Sequence, residues 1–380
     1  MSAALISISP PERHLDRALL STPGGFAWWY ADMVNEAGDG VVMIWSFGLP
    51  FLPGLASAAR AGQPLRPDAR PSLNLAIYER GELAAYTLRE FAPEEVEWAR
   101  DGMSWRFGPN VIRAERTAGV HKLHAELDVD VPGSGERLLG TLDIDGVARR
   151  THDEGAGVDL QHDWTPMMGP ATGRLELKMG QRERFAFTGR AYHDRNGGTK
   201  PLHELGFSHW IWGRLAFPDR EMLYYVLWPE DAAREIVSLG MTIDADGHTE
   251  VIERLGVKLA QPRVAWAGMR YHQSIALTRD GVPWLDVHPR CIVDNGPFYL
   301  RFIVDAYHEG YRATGTAERC VPSRVDRAPI RPFVRMRVQQ PRHGDNSMWL
   351  PLFTGPRAGR LGRLLGYTVK RERRGRSWSR

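Results

Sequence analysis

Short runs in which apolar residues take every second place recur along the chain, punctuated by Gly, Pro, Asn and Asp. In Arg174-Leu175-Glu176-Leu177-Lys178-Met179 the alternation gives an extended strand one wet and one dry face. Similar runs predict strands at Val41–Phe47, Leu73–Tyr78, Leu83–Leu88, Leu138–Ile144, Arg174–Met179 and Arg184–Tyr192. A later series is predicted at Met222–Trp228, Tyr271–Leu277, Phe298–Asp305, Tyr311–Arg319 and Phe333–Val338. Helical periods are few: Arg13–Leu20, Glu94–Arg100 and the segment after Arg357 predict short helices. Many short strands without βαβ alternation predict an all-β fold of antiparallel sandwiches or barrels.

A chain of 380 residues is long for one such unit. The Trp-rich run Trp210–Phe217 ends at Pro218, which places one β unit at 20–217, a second at 218–342 and a tail at 343–380. No apolar stretch reaches the length of a membrane-spanning helix. The first residues carry Pro10, Pro11, Glu12, Arg13 and Asp16, so no secretory apolar core is expected and the location expected is cytoplasmic. The two cysteines, Cys291 and Cys320, suit no disulfide framework or metal pattern and read as free thiols.

The net charge of +3 conceals an asymmetry. From Arg357 to the end there are nine basic residues against Glu372, a balance of +8 that leaves −5 for everything before it. A nucleic-acid binder would spread basic charge over its folded body, so no nucleic-acid partner is expected. The tail reads either as a solvated terminus or as a peripheral contact with an anionic membrane surface, to which Leu361, Leu364, Leu365 and Tyr367 would add apolar area.

Nucleotide and metal signatures are missing: there is no GxGxxG after a strand, no GxxxxGK[ST], no HExxH and no GxSxG. His121 and His124, three apart on a strand, would face opposite ways, so neither a metal nor a cofactor is expected. Candidate chemistry gathers in His162-Asp163-Trp164-Thr165-Pro166, in Tyr192-His193-Asp194-Arg195-Asn196-Gly197-Gly198, and in Trp210-Ile211-Trp212. On strands, His162 points with Trp164, Tyr192 with Asp194, and Trp210 with Trp212. Asn196-Gly197-Gly198 predicts a turn, which would leave Asp194 at the rim of a barrel or cleft close to aromatic rings. A carboxyl enclosed in this way is pushed towards its neutral form and can act as an acid near neutral pH. The same residues also fit a turn-capping Asp and aromatic core.

At these segments the sequence resembles the carotenoid 1,2-hydratase (hydroxyneurosporene synthase) family. Gly24-Gly25-Phe26-Ala27-Trp28-Trp29-Tyr30-Ala31-Asp32 is similar to that family's Gly-aromatic-x-Trp-Trp-Tyr-x-Asp opening, followed by the Pro-rich break Trp45–Pro53. His162-x-Trp164, Tyr192-x-Asp194, Pro201-Leu202-His203-Glu204, Trp210-x-Trp212 and Pro297-Phe298-Tyr299 continue the likeness in order. The resemblance implies two lipocalin-like barrels and a hydro-lyase that works without a cofactor on a hydrophobic polyene. It further implies that Asp194 protonates C2 of a terminal double bond, that His162 handles the attacking water, and that Tyr192 and Trp164 complete the catalytic set. Trp28, Trp29, Tyr30, Trp210 and Trp212 would bind substrate. The segment Arg66–Pro71, the residues near Arg195 and Gly198, and the basic tail depart from the family pattern. Polyene cyclases, pericyclases and a non-catalytic carrier of hydrophobic ligands share this fold and remain alternatives.

Overall fold

A computed structural model describes residues 6–132, 135–151, 162–180 and 183–356. Nearly every element is a strand, and the strands form two curled, almost wholly antiparallel sheets. The first sheet runs from Glu82–Glu90 through Pro71–Glu79, Gly40–Phe47 and Phe26–Val34 to the long strand Glu183–Gly198. It continues through Met168–Met179, Glu136–Ala148, Val120–Val131 and Asn110–Arg116 to an edge at Val96–Trp98. The second sheet has Phe207–Ala216 and Tyr311–Cys320 near its centre, with Arg220–Pro229 outside the former and Tyr299–His308 outside the latter. The change of sheet therefore falls between Gly198 and Phe207, ahead of Pro218, because the Trp-rich run is itself a strand of the second sheet.

Each sheet curls around its own apolar core. Trp29, Met43, Trp45, Phe107, Leu142 and Leu175 fill the first, and Leu215, Met222, Tyr224, Leu300 and Phe302 the second. A third cluster, with Phe26, Trp28, Tyr30, Trp164, Tyr192, Trp210, Trp212 and Tyr225, lies between the sheets. Central strands are thus covered on both faces, and all of Phe26–Val34 is buried. Far from the junction, Val120–Val131 shows the simple alternation of a strand with one solvated face, with His121 buried and His124 half-exposed.

Ions as well as rings hold the sheets together. Asp32 of the first sheet pairs with Arg214 of the second at 2.6 Å, both wholly buried, and accepts a hydrogen bond from Thr316 at 2.6 Å. Glu221 lies 3.6 Å from Arg214, and burial pushes its carboxyl up to about 7. After Cys320 the chain crosses back to the first sheet. The backbone of Gln339 exchanges hydrogen bonds with Leu88 and Glu90, and Gly355–Pro356 pairs with Ala85 and Tyr86.

Three local expectations are corrected. Phe333–Val338 is not a strand but the short helix Arg331–Arg335 and its exit, since no neighbouring strand pairs with it over its length. Of Glu94–Arg100 only the 3₁₀ turn Pro93–Glu95 is helical, and Val96–Trp98 joins the sheet. Arg13–Leu20 contributes a 3₁₀ turn at Arg17–Ser21, where the Asp16 carboxylate accepts from the Ala18 amide. The basic run from Arg357 lies outside the described residues, and among those described no helix is long and apolar enough to cross a membrane. Cys291 and Cys320 are free thiols.

Candidate active site

The strand Glu183–Gly198 carries the site by alternation. Ala191 and His193 face the first core, where the imidazole of His193 stacks on Trp45 at 5.4 Å. Tyr192, Asp194 and Asn196 take the other face, which looks across the junction. Register then sets their neighbours: Asp194 lies opposite Tyr30 on one side and Pro166 on the other, and Asn196 opposite Trp28 and Trp164. Asn196-Gly197-Gly198 is therefore strand and not turn, because strands flank it on both sides and their ladders override its turn propensity. Asp194 accordingly sits inside the junction and not at a rim, with 3% of its surface exposed.

Three donors hold its carboxyl group. Trp164 Nε1 and the Tyr192 hydroxyl donate to Oδ2 at 2.9 and 3.0 Å, and Asn196 Nδ2 donates to Oδ1 at 3.0 Å. A carboxylate offers two lone-pair directions on each oxygen, so Oδ2 is filled and one direction on Oδ1 is left for a proton. Burial pushes Asp194 up to about 8, against the opposing pull of the Trp164 and Tyr192 donors; no cation lies within ion-pair distance of it among the described residues. The protonated form therefore predominates at pH 7.

His162 stands one layer back. Its Nε2 donates to Asn196 Oδ1 at 3.1 Å, which turns the Asn196 amide so that its NH₂ meets Asp194. Phe26, Trp28, Phe207 and Tyr225 surround the imidazole, with ring centroids 5.6–6.5 Å away. Burial lowers His162 to about 4, so it stays neutral. It does not line the cavity onto which Asp194 opens.

That cavity lies between the sheets. Asp194, Asn196, Trp164, Trp28 and Tyr30 belong to the first-sheet wall, and Trp210, Trp212 and Tyr225 to the second. Trp29 is turned away, since its neighbours in sequence face the cavity; it packs instead in the first core against Trp45, Trp98 and Trp105. The structure thus brings together every residue singled out from the sequence except Trp29, with His162 reaching the cavity only through Asn196.

The second-sheet wall also holds a polar row that the sequence did not single out. Asp294, Arg301, Glu318, Trp212 and Tyr225 lie opposite one another in register on successive strands, all facing the cavity. Glu318 accepts from Trp210 Nε1 at 3.1 Å and from the Tyr299 hydroxyl. Arg301 donates to the Tyr78 hydroxyl at 2.9 Å and lies over the Tyr299 and Tyr30 rings at 4.9 and 5.7 Å. Arg337, from the segment that crosses back, binds Asp294 at 3.0 Å and covers Tyr86 at 4.0 Å. The one set of three possible metal ligands among the described residues, Asp244, Asp246 and His248, belongs to a half-exposed turn, in which Asp244 accepts from the other two backbone amides.

Solved structures share this two-sheet architecture. A candidate AttH protein from Nitrosomonas europaea matches 82% of this chain and 98% of its own at TM-score 0.56 and 14% identity. The structure of CghA with Sch210972 matches 79% and 88% at TM-score 0.51 and 12% identity. These define the class as an all-β, two-sheet, lipocalin-like protein. The family model of carotenoid hydratase CrtC matches residues 44–348, and the chain belongs to that family. The hydroxyneurosporene dehydrogenase of Chlorobaculum tepidum is 26% identical over 300 residues, 74% of this chain and 78% of that protein. The acyclic carotenoid 1,2-hydratase of Rubrivivax gelatinosus is 27% identical over 324 residues, 83% of this chain and 73% of that protein.

Proposed function

We propose that this protein adds water across the terminal C1,2 double bond of an acyclic carotenoid of the lycopene or neurosporene type, with Asp194 as the acid. The observation that carries the reading is a carboxyl, 3% exposed, that lines an aromatic cavity and is held by three uncharged donors. Protonating an unactivated alkene requires an acid kept out of water and a shielded cation. The Oδ1 proton passes to C2, the π electrons form the new C–H bond, and C1 becomes a tertiary cation. The rings of Trp28, Trp164, Trp212 and Tyr225 offer π faces worth about 0.5–2 kcal/mol each to such a cation. Trp164 and Tyr192 stabilise the aspartate left behind. His162 is a positioning residue in this scheme: through Asn196 it fixes the carboxyl that gives the proton. Water then closes on C1 and yields a tertiary alcohol.

The test is incubation with lycopene and with neurosporene in isotope-labelled water, followed by mass spectrometry. The product expected is heavier than substrate by one labelled water, and Asp194→Asn reduces its formation to background while polyene binding persists. A product of unchanged mass would assign ring closure instead, and binding without any product would assign a carrier.

A further inference from the structure

Hydration of an alkene needs two proton carriers, one to give a proton to carbon and one to take a proton from the attacking water. Asp194 fills the first role. His162 cannot reach the cavity to fill the second, because Asn196, Trp28 and Tyr225 stand around it.

We propose that Glu318 is a further catalytic residue, the base that holds the water and takes its proton on the wall opposite Asp194. The assignment rests on the hydration reading above. Asp194 belongs to the first sheet and Glu318 to the second, and both line the same cavity. A substrate end lying between the sheets would thus meet the acid on one face and the base on the other.

The surroundings of the two carboxyls divide the roles. Glu318 has Arg301 directly opposite in register and two donors, Trp210 and Tyr299, on its oxygens. Neither carboxyl has a cation at ion-pair distance among the described residues, but the charge of Arg301 acts on Glu318, whereas Asp194 is held by uncharged donors only. Burial pushes both upward, but Arg301, Tyr299 and Trp210 pull Glu318 back. When two enclosed carboxyls share one negative charge, it settles on the one that a cation's field favours and the proton stays on the other. Trp212 Nε1, opposite Glu318 on the next strand, is buried without a partner among the described residues. A hydrocarbon can bond neither to Trp212 Nε1 nor to the remaining lone pairs of Glu318, and a donor left unpaired in a dry cavity is costly. A water between Glu318 and Trp212 satisfies both and lies where a nucleophile is needed.

The steps balance. The Asp194 proton forms the C2–H bond, a water lone pair forms the C1–O bond, and the carboxylate of Glu318 takes one hydrogen of that water. The sum is alkene plus water giving alcohol. A proton returned from Glu318 to Asp194 through water after the product leaves restores both.

The test separates proton delivery from water capture. In heavy water, reversible protonation by Asp194 places deuterium at C2 of recovered lycopene even when no alcohol forms, because the aspartate can take back the original hydrogen. Glu318→Gln is expected to lower alcohol formation about 100-fold or more while recovered lycopene still gains deuterium. In Glu318→Ala, added formate is expected to restore hydration, which a purely structural role would not allow. Wild-type rates of hydration in Glu318→Gln would overturn the proposal. So would loss of exchange together with hydration in both variants, without formate rescue. Failure of the underlying reading looks different: the wild type would show neither alcohol nor exchange, or Asp194→Asn would keep both.

Discussion

The enclosed acid should be visible in stability as well as in turnover. An Asp in the unfolded chain titrates near ~3.9, whereas burial raises Asp194 to about 8 in the folded protein. Below pH ~4 both states hold the proton and the site adds no pH dependence. Between pH ~4 and about 8 the folded state keeps a proton that the unfolded state has lost, so stability falls as pH rises. Above about 8 both are ionised and the full cost of the buried charge is present. Each pH unit of that gap is worth ~1.4 kcal/mol, which makes the total about 6 kcal/mol.

Asp194→Asn abolishes this dependence. The Asn oxygen can still accept from Trp164 and Tyr192, while its NH₂ meets the NH₂ of Asn196 and forces that amide to turn. That adjustment shifts the variant's stability by a constant amount and leaves the slope unaffected. The assay is urea unfolding of both proteins, followed by tryptophan fluorescence, at intervals from pH 4 to pH 9. The free-energy difference between wild type and variant should change by several kcal/mol over that range, with the variant gaining on the wild type as pH rises. Parallel profiles would mean that Asp194 titrates like an exposed carboxyl, and the proposed acid would be ionised during turnover.

Activity should hold up to about pH 8 and decline above it as Asp194 ionises, read from kcat/KM with lycopene. Tyr192→Phe removes a donor that lowers Asp194, so its alkaline limb should move upward by up to about one pH unit, with a lower maximal rate. His162→Phe should reduce kcat less than Asp194→Asn and displace the same limb, since the imidazole acts on the acid through Asn196; an unmoved limb would make His162 a packing residue only. Arg214→Met should destabilise by about 3–5 kcal/mol in urea by stranding Asp32 between the sheets, and adding Asp32→Asn should recover much of the loss.

What could be read from the sequence was whatever depends on neighbours in sequence. Alternation located the cores of most strands, and i, i+2 spacing grouped Tyr192 with Asp194 and Trp210 with Trp212 on shared faces. The same parity argument separates Trp29 from Trp28 and Tyr30, since adjacent residues on one strand cannot share a face. The misreadings have tertiary causes. Asn196-Gly197-Gly198 has the composition of a turn, but ladders to Phe26–Trp28 and Asp163–Trp164 hold it extended. Glu318 and Arg301 escaped notice because their meaning comes from register between strands far apart in the chain. One local signal existed: Thr316 and Glu318 take alternate places beside the small residues Gly315 and Ala317, so the polar pair shares one face of the strand.

The division of labour along Glu183–Gly198 explains why chemistry sits between the sheets and not inside either one. The first core is already filled by Trp29, Trp45, Trp98 and Trp105, and His193 on the same strand completes the stack. A close-packed interior of that kind has no room for a substrate. The outer faces of two curled sheets cannot match each other perfectly, and the mismatch is the cavity. Placing the acid there also isolates it. The ion pairs that tie the sheets together, from Asp32 to Arg214 and from Asp294 to Arg337, use up carboxylates and cations around Asp194, while its own contacts are uncharged donors. An arginine brought within reach of Asp194 would strengthen the junction and ionise the acid. The fold therefore gains its cohesion from charges at the edges of the cavity, and its chemistry depends on keeping them from the one carboxyl that must stay neutral.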